Sequence, residues 1–103
     1  MIPYGKQFID DDDINAVVSV LKSEFLTTGP KIKEFENIIC DYTGAKYAVA
    51  VANGTAALHL ASLVLLKKGD KVLTTPNSFL ATSNSILYAG AIPIFVDIWE
   101  DGN

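Results

Sequence analysis

Two stretches carry the residue types and spacing that binding chemistry needs. The first is Ala52-Asn53-Gly54-Thr55-Ala56-Ala57, a set of turn residues between a short apolar run and a longer one. If a helix opens there, the amides of Thr55 and Ala56 have no acceptor inside it. Thr55 adds a hydroxyl, and Gly54 lets a ligand approach the backbone. These are the parts of an anion site at a helix N-terminus. They are equally the parts of an ordinary N-cap, and spacing alone does not separate the two. The stretch lacks both G-x-G-x-x-G and the Gly-Lys-Ser/Thr ending of a P-loop, so dinucleotide and nucleoside-triphosphate readings fall away. The second stretch is Thr75-Pro76-Asn77-Ser78-Phe79-Leu80-Ala81-Thr82-Ser83-Asn84, where Phe79 follows a polar turn. An aromatic ring in that position either covers a flat ligand by stacking or fills the core at a helix start.

The remaining candidates read more plainly. His59 lies in an apolar run with no carboxylate or serine partner nearby in sequence, which favours a buried, hydrogen-bonded imidazole over a catalytic one. Cys40 has no local base and reads as a packed thiol. Asp10 to Asp13 stand at the start of a periodic segment, where carboxylates cap free amides and meet the positive end of the helix dipole. A calcium loop would need alternating ligands and a glycine after them, and neither follows. With one His and one Cys in the chain, no metal-ligand cluster is expected.

The elements that must position these residues follow from periodicity. Ile14, Val17, Val18 and Leu21 mark one face of a helix over 10–23. Pro30 suits the first turn of a second helix, which carries Ile32, Phe35, Ile38, Ile39 and Tyr42 and stops at Gly44. From there the pattern changes to strand 47–51, a largely buried helix 56–68, strand 71–75, helix 78–88 and strand 92–98. Strands alternating with helices over short links predict parallel pairing with right-handed crossovers. Continuous apolar strands predict a sheet covered on both faces. The fold class is therefore α/β, with a helical arm over 1–45 and the start of a sheet domain over 46–103. Three strands make a small doubly wound sheet, so the sequence reads as the first part of a larger fold.

Composition narrows the partners. The 103 residues hold twelve acidic side chains against eight basic ones, all lysine, for a net charge of −4. Without arginine or basic clusters, nucleic-acid binding is not expected. A bound phosphate would be held by amides, hydroxyls, lysine or another chain. A single cysteine suits a reducing compartment. No basic-then-apolar leader opens the sequence, and the longest apolar stretch, Ala56 to Leu66, falls short of the roughly 20 residues of a membrane span. A cytoplasmic protein without a membrane partner is expected.

Several ordered blocks carry a resemblance. Pro3-Tyr4-Gly5-Lys6-Gln7, Asp13-Ile14 and Phe25-Leu26-Thr27-Thr28-Gly29-Pro30 come first, with Phe35-Glu36 after them. Gly44 to Val51, Gly54-Thr55-Ala56-Ala57-Leu58-His59, Pro76 to Asn84, Gly90-Ala91 and Phe95-Val96-Asp97-Ile98 follow in order. Together they resemble the opening of the DegT/DnrJ/StrS family of sugar-nucleotide aminotransferases, and they cover nearly the whole chain. The opening block is most similar to the branch serving pseudaminic acid biosynthesis, which aminates a UDP-linked 4-keto-6-deoxy-N-acetylhexosamine for cell-surface or flagellar sugars.

The resemblance implies the N-terminal portion of a fold-type I transferase large domain dependent on pyridoxal 5'-phosphate. Gly54, Thr55 and Ala56 fall where the family cradles the cofactor phosphate, and Phe79 where it stacks an aromatic ring on the pyridine. Tyr4, Phe25, Leu26 and Thr27 match positions lining the sugar-nucleotide site. Ala52-Asn53 departs from the Asn-Ser often found before the glycine, which leaves a side-chain role there open. The resemblance also implies glutamate as amino donor and a homodimer when full length. The family's ring-nitrogen aspartate and its covalent lysine lie downstream, and none of the eight lysines here has the matching context. No catalytic residue is therefore expected in this chain, and the 103 residues alone are expected to be inactive. A non-catalytic remnant, acting at most as a binding or dimerising fragment, stands as the alternative. An unrelated flavodoxin-like domain is a weaker one, against which the ordered blocks argue.

Overall fold

The computed structural model describes residues 5–98. The chain divides into two compact units at Ala50/Val51. The first unit holds α1 (Asp11–Leu21) and α2 (Pro30–Thr43); the second holds α3 (Gly54–Leu65), β1 (Lys71–Thr74), α4 (Ala81–Tyr88) and β2 (Ile92–Phe95).

Local chemistry explains the helix ends. Asp10 caps α1 with a side chain that accepts from the amides of Asp12 and Asp13, while the Asp13 carboxylate accepts from the Asp10 amide. This reciprocal arrangement satisfies three donors that a bare helix start leaves open. Pro30 occupies the first turn of α2, where its missing N–H removes nothing. Gly44 ends α2 with φ 73° and donates its amide to the Cys40 carbonyl at 2.8 Å. A residue with a Cβ would be strained in that left-handed conformation.

β1 and β2 pair in parallel, Lys71 opposite Ile92 and Thr74 opposite Phe95, with α4 as the crossover between them. Ile92 donates to the Asp70 carbonyl at 2.7 Å and Val96 to Thr74 at 2.8 Å. Alternation along β2 then turns Pro93 to the outer edge, where its lack of an N–H leaves this ladder intact. The core of this unit is Ala81, Ile86 and Ala91, with Ser85 at 2 % exposure donating its hydroxyl to the Thr82 carbonyl. His59 of α3 meets Tyr88 of α4 edge to face, ring centroids 5.4 Å apart.

Four expectations are corrected. Residues 47–51 form no strand: a strand exists only with a lateral partner, and the Ala50 amide instead donates to Glu36 Oε1 of α2 at 3.0 Å. The sheet is not covered on both faces. Val72 and Thr74 are half-buried while Lys71 and Leu73 are exposed, because only α4 packs on it among the described residues. α3 is not largely buried either. Ala56, His59 and Ser62 make one half-buried stripe, and Leu60, Leu63 and Val64 stand open. The two sheet elements also end earlier than the apolar runs suggest, at Thr74 and Phe95.

Candidate functional site

The start of α3 and the turn before α4 meet around one cavity. Gly54, Thr55 and Leu58 line it from α3 and Phe79, Ala81 and Thr82 from the other side, as an open cleft of about 530 Å³. A volume of that order suits a small organic ligand or cofactor. Of the four residues expected to hold a cofactor, Gly54, Thr55 and Phe79 are brought together here.

The amides at the helix start sort themselves by what they already bond. Asn53 is the N-cap, and its Oδ1 accepts from the Ala56 amide at 2.9 Å. The Ala57 amide donates to the Asn53 carbonyl at 3.2 Å. Ala56 is therefore not a free donor, contrary to the reading of its amide as part of an open anion site. The Gly54 and Thr55 amides and the Thr55 hydroxyl have no protein partner among the described residues. A Cβ built on Gly54 meets no heavy atom within 4 Å. Packing does not demand glycine there, so the free space belongs to the cavity. Two unpaired amides and a hydroxyl at the positive end of a helix are groups that could hold a small anion.

Phe79 is 79 % exposed among the described residues. Its ring forms a wall of the cavity that the Gly54–Thr55 cradle opens onto. An anion grip and an aromatic wall on one cavity fit a flat ring bearing a phosphate. None of the eight lysines lines this cavity.

His59 does not enter the cavity lining, and its half-buried ring packs on Tyr88 with no hydrogen bond among the described residues. The buried, hydrogen-bonded imidazole expected from sequence is thus an aromatic packing residue between two helices. Cys40 is a half-buried free thiol. No group of three or more His, Cys, Asp or Glu among the described residues could hold a metal ion. No described helix is long and apolar enough to cross a membrane.

The residues expected on a sugar-nucleotide site lie in the first unit. Leu26 lines an apolar cavity of about 490 Å³ with Ala16, Val17, Val20, Leu21 and Lys31. Phe25 lines a smaller one beside it, Thr27 lines neither, and Tyr4 lies outside the described residues. The single cation of the larger cavity, Lys31, is 2.6 Å from Glu34. Thr28 has φ 54°, a strained conformation for a β-branched residue, and the next residue, Gly29, sits against Phe25. Sequence reasoning passed over Leu58, Ala81 and Thr82 as lining residues. Leu58 was signalled only by standing one turn after Gly54 on a helix, a weak mark for any one residue.

Comparison with known proteins follows the same lines. The DegT/DnrJ/EryC1/StrS aminotransferase family matches residues 7–102. A UDP-4-amino-4,6-dideoxy-N-acetyl-beta-L-altrosamine transaminase of Campylobacter jejuni strain 81-176 is 50% identical over the whole chain, which covers 27% of that protein. Helicobacter pylori PseC, an aminotransferase involved in the biosynthesis of pseudoaminic acid, superposes with a TM-score of 0.89 at 35% identity. The alignment takes in 98% of this chain and 28% of that one. Streptococcus pneumoniae Spr1654 in its PLP-form gives a TM-score of 0.88 at 38% identity, over 97% of this chain and 26% of its own. The chain thus spans about a quarter of the length of the relatives it matches.

Proposed function

The chain belongs to the DegT/DnrJ/EryC1/StrS aminotransferase family, and from that membership we propose that it is the N-terminal portion of a pyridoxal-phosphate-dependent aminotransferase acting on a nucleotide-activated keto sugar. The substrate in this reading is a UDP-linked 4-keto-6-deoxy-N-acetylhexosamine, glutamate is the amino donor, and the product feeds pseudaminic acid or a related cell-surface sugar. The enzyme works in the cytoplasm as a homodimer. The observation that carries the reading is the cavity on which Gly54, Thr55 and Phe79 converge.

The residues divide the work by their chemistry. The Gly54 and Thr55 amides and the Thr55 hydroxyl grip the phosphate, aided by the dipole of α3. The Ala56 amide donates to Asn53 Oδ1 and so shapes the turn instead of meeting the phosphate. Phe79 covers one face of the ring, excluding water and fixing its plane. When bound, the cofactor would supply an aldehyde carbon that carries the amino group from donor to acceptor and an electron-poor ring that takes up electron density. Tyr4, Phe25, Leu26 and Thr27 serve the sugar-nucleotide side. With no lysine on the cavity, the amine that anchors the cofactor is assigned to sequence outside this segment, as is the cation set that would meet a diphosphate.

The test is a reaction assay on the full-length protein with the keto sugar nucleotide and pyridoxal phosphate. Formation of the 4-amino sugar with matching loss of glutamate is the expected result. No amine transfer from any amino acid, in a protein that binds the cofactor, would sink the substrate assignment.

A further inference from the structure

Phe79 has open space on two sides. It walls the cavity of about 530 Å³ and also a second one of about 200 Å³, which Thr75, Ser78 and Ser83 line as well. With so little packed against it, the ring takes its position from the backbone turn that carries it.

That turn is rich in hydroxyls, and every one of them is engaged. Thr75 Oγ1 accepts from the Asn77 amide at 3.2 Å, and Ser83 Oγ donates to the Leu80 carbonyl at 3.2 Å. The Ser78 and Thr82 hydroxyls are 2.8 Å apart and bond to each other across the turn, with Phe79 between them in sequence. The Ser78 amide donates to Pro76 at 2.9 Å and the Thr82 amide to the Phe79 carbonyl at 3.0 Å. A hydroxyl cluster already bonded internally is a poor ligand site and a good brace. The Ser78–Thr82 bond is the side-chain link that closes the loop around Phe79.

We propose that Ser78 and Thr82 are a positioning pair, whose hydroxyl–hydroxyl bond fixes the turn and thereby holds the Phe79 ring at the angle that covers the cofactor. The inference rests on the reading that Phe79 lies over bound pyridoxal phosphate. Thr82 also lines the candidate cofactor cavity, and in this inference the pair acts on the cofactor through the ring, which the Phe79→Ala background separates from a direct contact.

The experiment is a double-mutant cycle in the holoenzyme, reading pyridoxal phosphate affinity and the circular dichroism of the bound cofactor. Thr82→Val keeps the shape and removes the hydroxyl. It is expected to weaken cofactor binding about threefold to tenfold, the span of one neutral hydrogen bond, and to change the dichroic band. Ser78→Ala should do the same, and Thr82→Ser should restore both readouts. In a Phe79→Ala background, Thr82→Val should add nothing, because the pair then has no ring to hold. An equal loss in both backgrounds, or no loss from Thr82→Val while Phe79→Ala does weaken binding, would overturn the positioning role alone. No effect of Phe79→Ala itself would overturn the ring-covering reading and this inference with it.

Discussion

Thr55 and Phe79 grip a ligand by different physics, and their substitutions separate accordingly. A hydroxyl bonded to a charged phosphate contributes about 1.5 to 3 kcal/mol. Thr55→Val in the full-length protein should therefore weaken pyridoxal phosphate binding roughly ten- to a hundredfold, and pyridoxal lacking the phosphate should bind both forms alike. Titration of the two ligands by absorbance measures this, and equal loss for both would remove Thr55 from the phosphate grip. The contribution of Phe79 comes from burial and ring contact. Phe79→Ala should lower affinity by about 1 to 3 kcal/mol for phosphorylated and unphosphorylated ligand alike. Equilibrium dialysis showing unchanged affinity would leave the exposed ring without a ligand to cover.

The elements differ in how far their own residues determine them. α1 is marked locally, because the Asp10 cap and the spacing of the Ile14–Leu21 stripe are both written in neighbouring residues. Asp10→Ala should destabilise the helix by about 0.5 to 2 kcal/mol, the usual range for losing an N-cap, with Asp11→Asn near neutral. Thermal melts of the two variants in the full-length protein check the difference. The same local logic made the Pro30 start, the Gly44 stop and the β1 run legible. Residues 47–51 and the faces of α3 were not, because strand pairing and burial depend on partners remote in sequence, and apolar composition alone does not name them. In the candidate site, turn chemistry marked Gly54, Thr55 and Phe79 but left an N-cap and a core ring as equal readings, and the family resemblance supplied their cofactor roles. The Ser78–Thr82 bond was hidden, since serine and threonine side chains have many local acceptors to choose from. The link between α1 and α2 carries its own constraint. A Cβ on Gly29 would fall 3.0 Å from the Phe25 carbonyl oxygen and 3.1 Å from its Cβ. Gly29→Ala requires the Phe25 segment to give by a few tenths of an ångström. On the proposal that Phe25 and Leu26 serve the sugar-nucleotide side, this variant should raise KM for the sugar nucleotide and leave cofactor affinity unchanged. A parallel loss of cofactor affinity would count against that division.

At the scale of the whole chain, the apolar surface far exceeds what the two units cover. Among the described residues the buried apolar side chains are Ala81, Ile86 and Ala91, and no large side chain is fully buried. Meanwhile Val64 is 82 % exposed, Leu65 78 % and Leu73 71 %, all in the unit that carries the candidate cofactor site. Ordering a chain of this length opposes folding by on the order of 100 kcal/mol or more, and burial of apolar surface is the main term that offsets it. Three small or medium side chains do not supply that. The open faces of α3 and β1 instead call for further layers, in keeping with a chain that spans about a quarter of its relatives. The 103-residue polypeptide on its own is therefore expected to bind a hydrophobic dye strongly and to melt without a cooperative transition. It should also show no transfer of an amino group from glutamate. Calorimetry decides the point: a single sharp endotherm of about 60 to 80 kcal/mol, the value for a folded domain of this length, would mean that the two units hold without further layers. The same polypeptide should bind pyridoxal phosphate only at millimolar concentration or weaker. Its phosphate cradle stands open to water there, and a few exposed hydrogen bonds net roughly 2 to 4 kcal/mol.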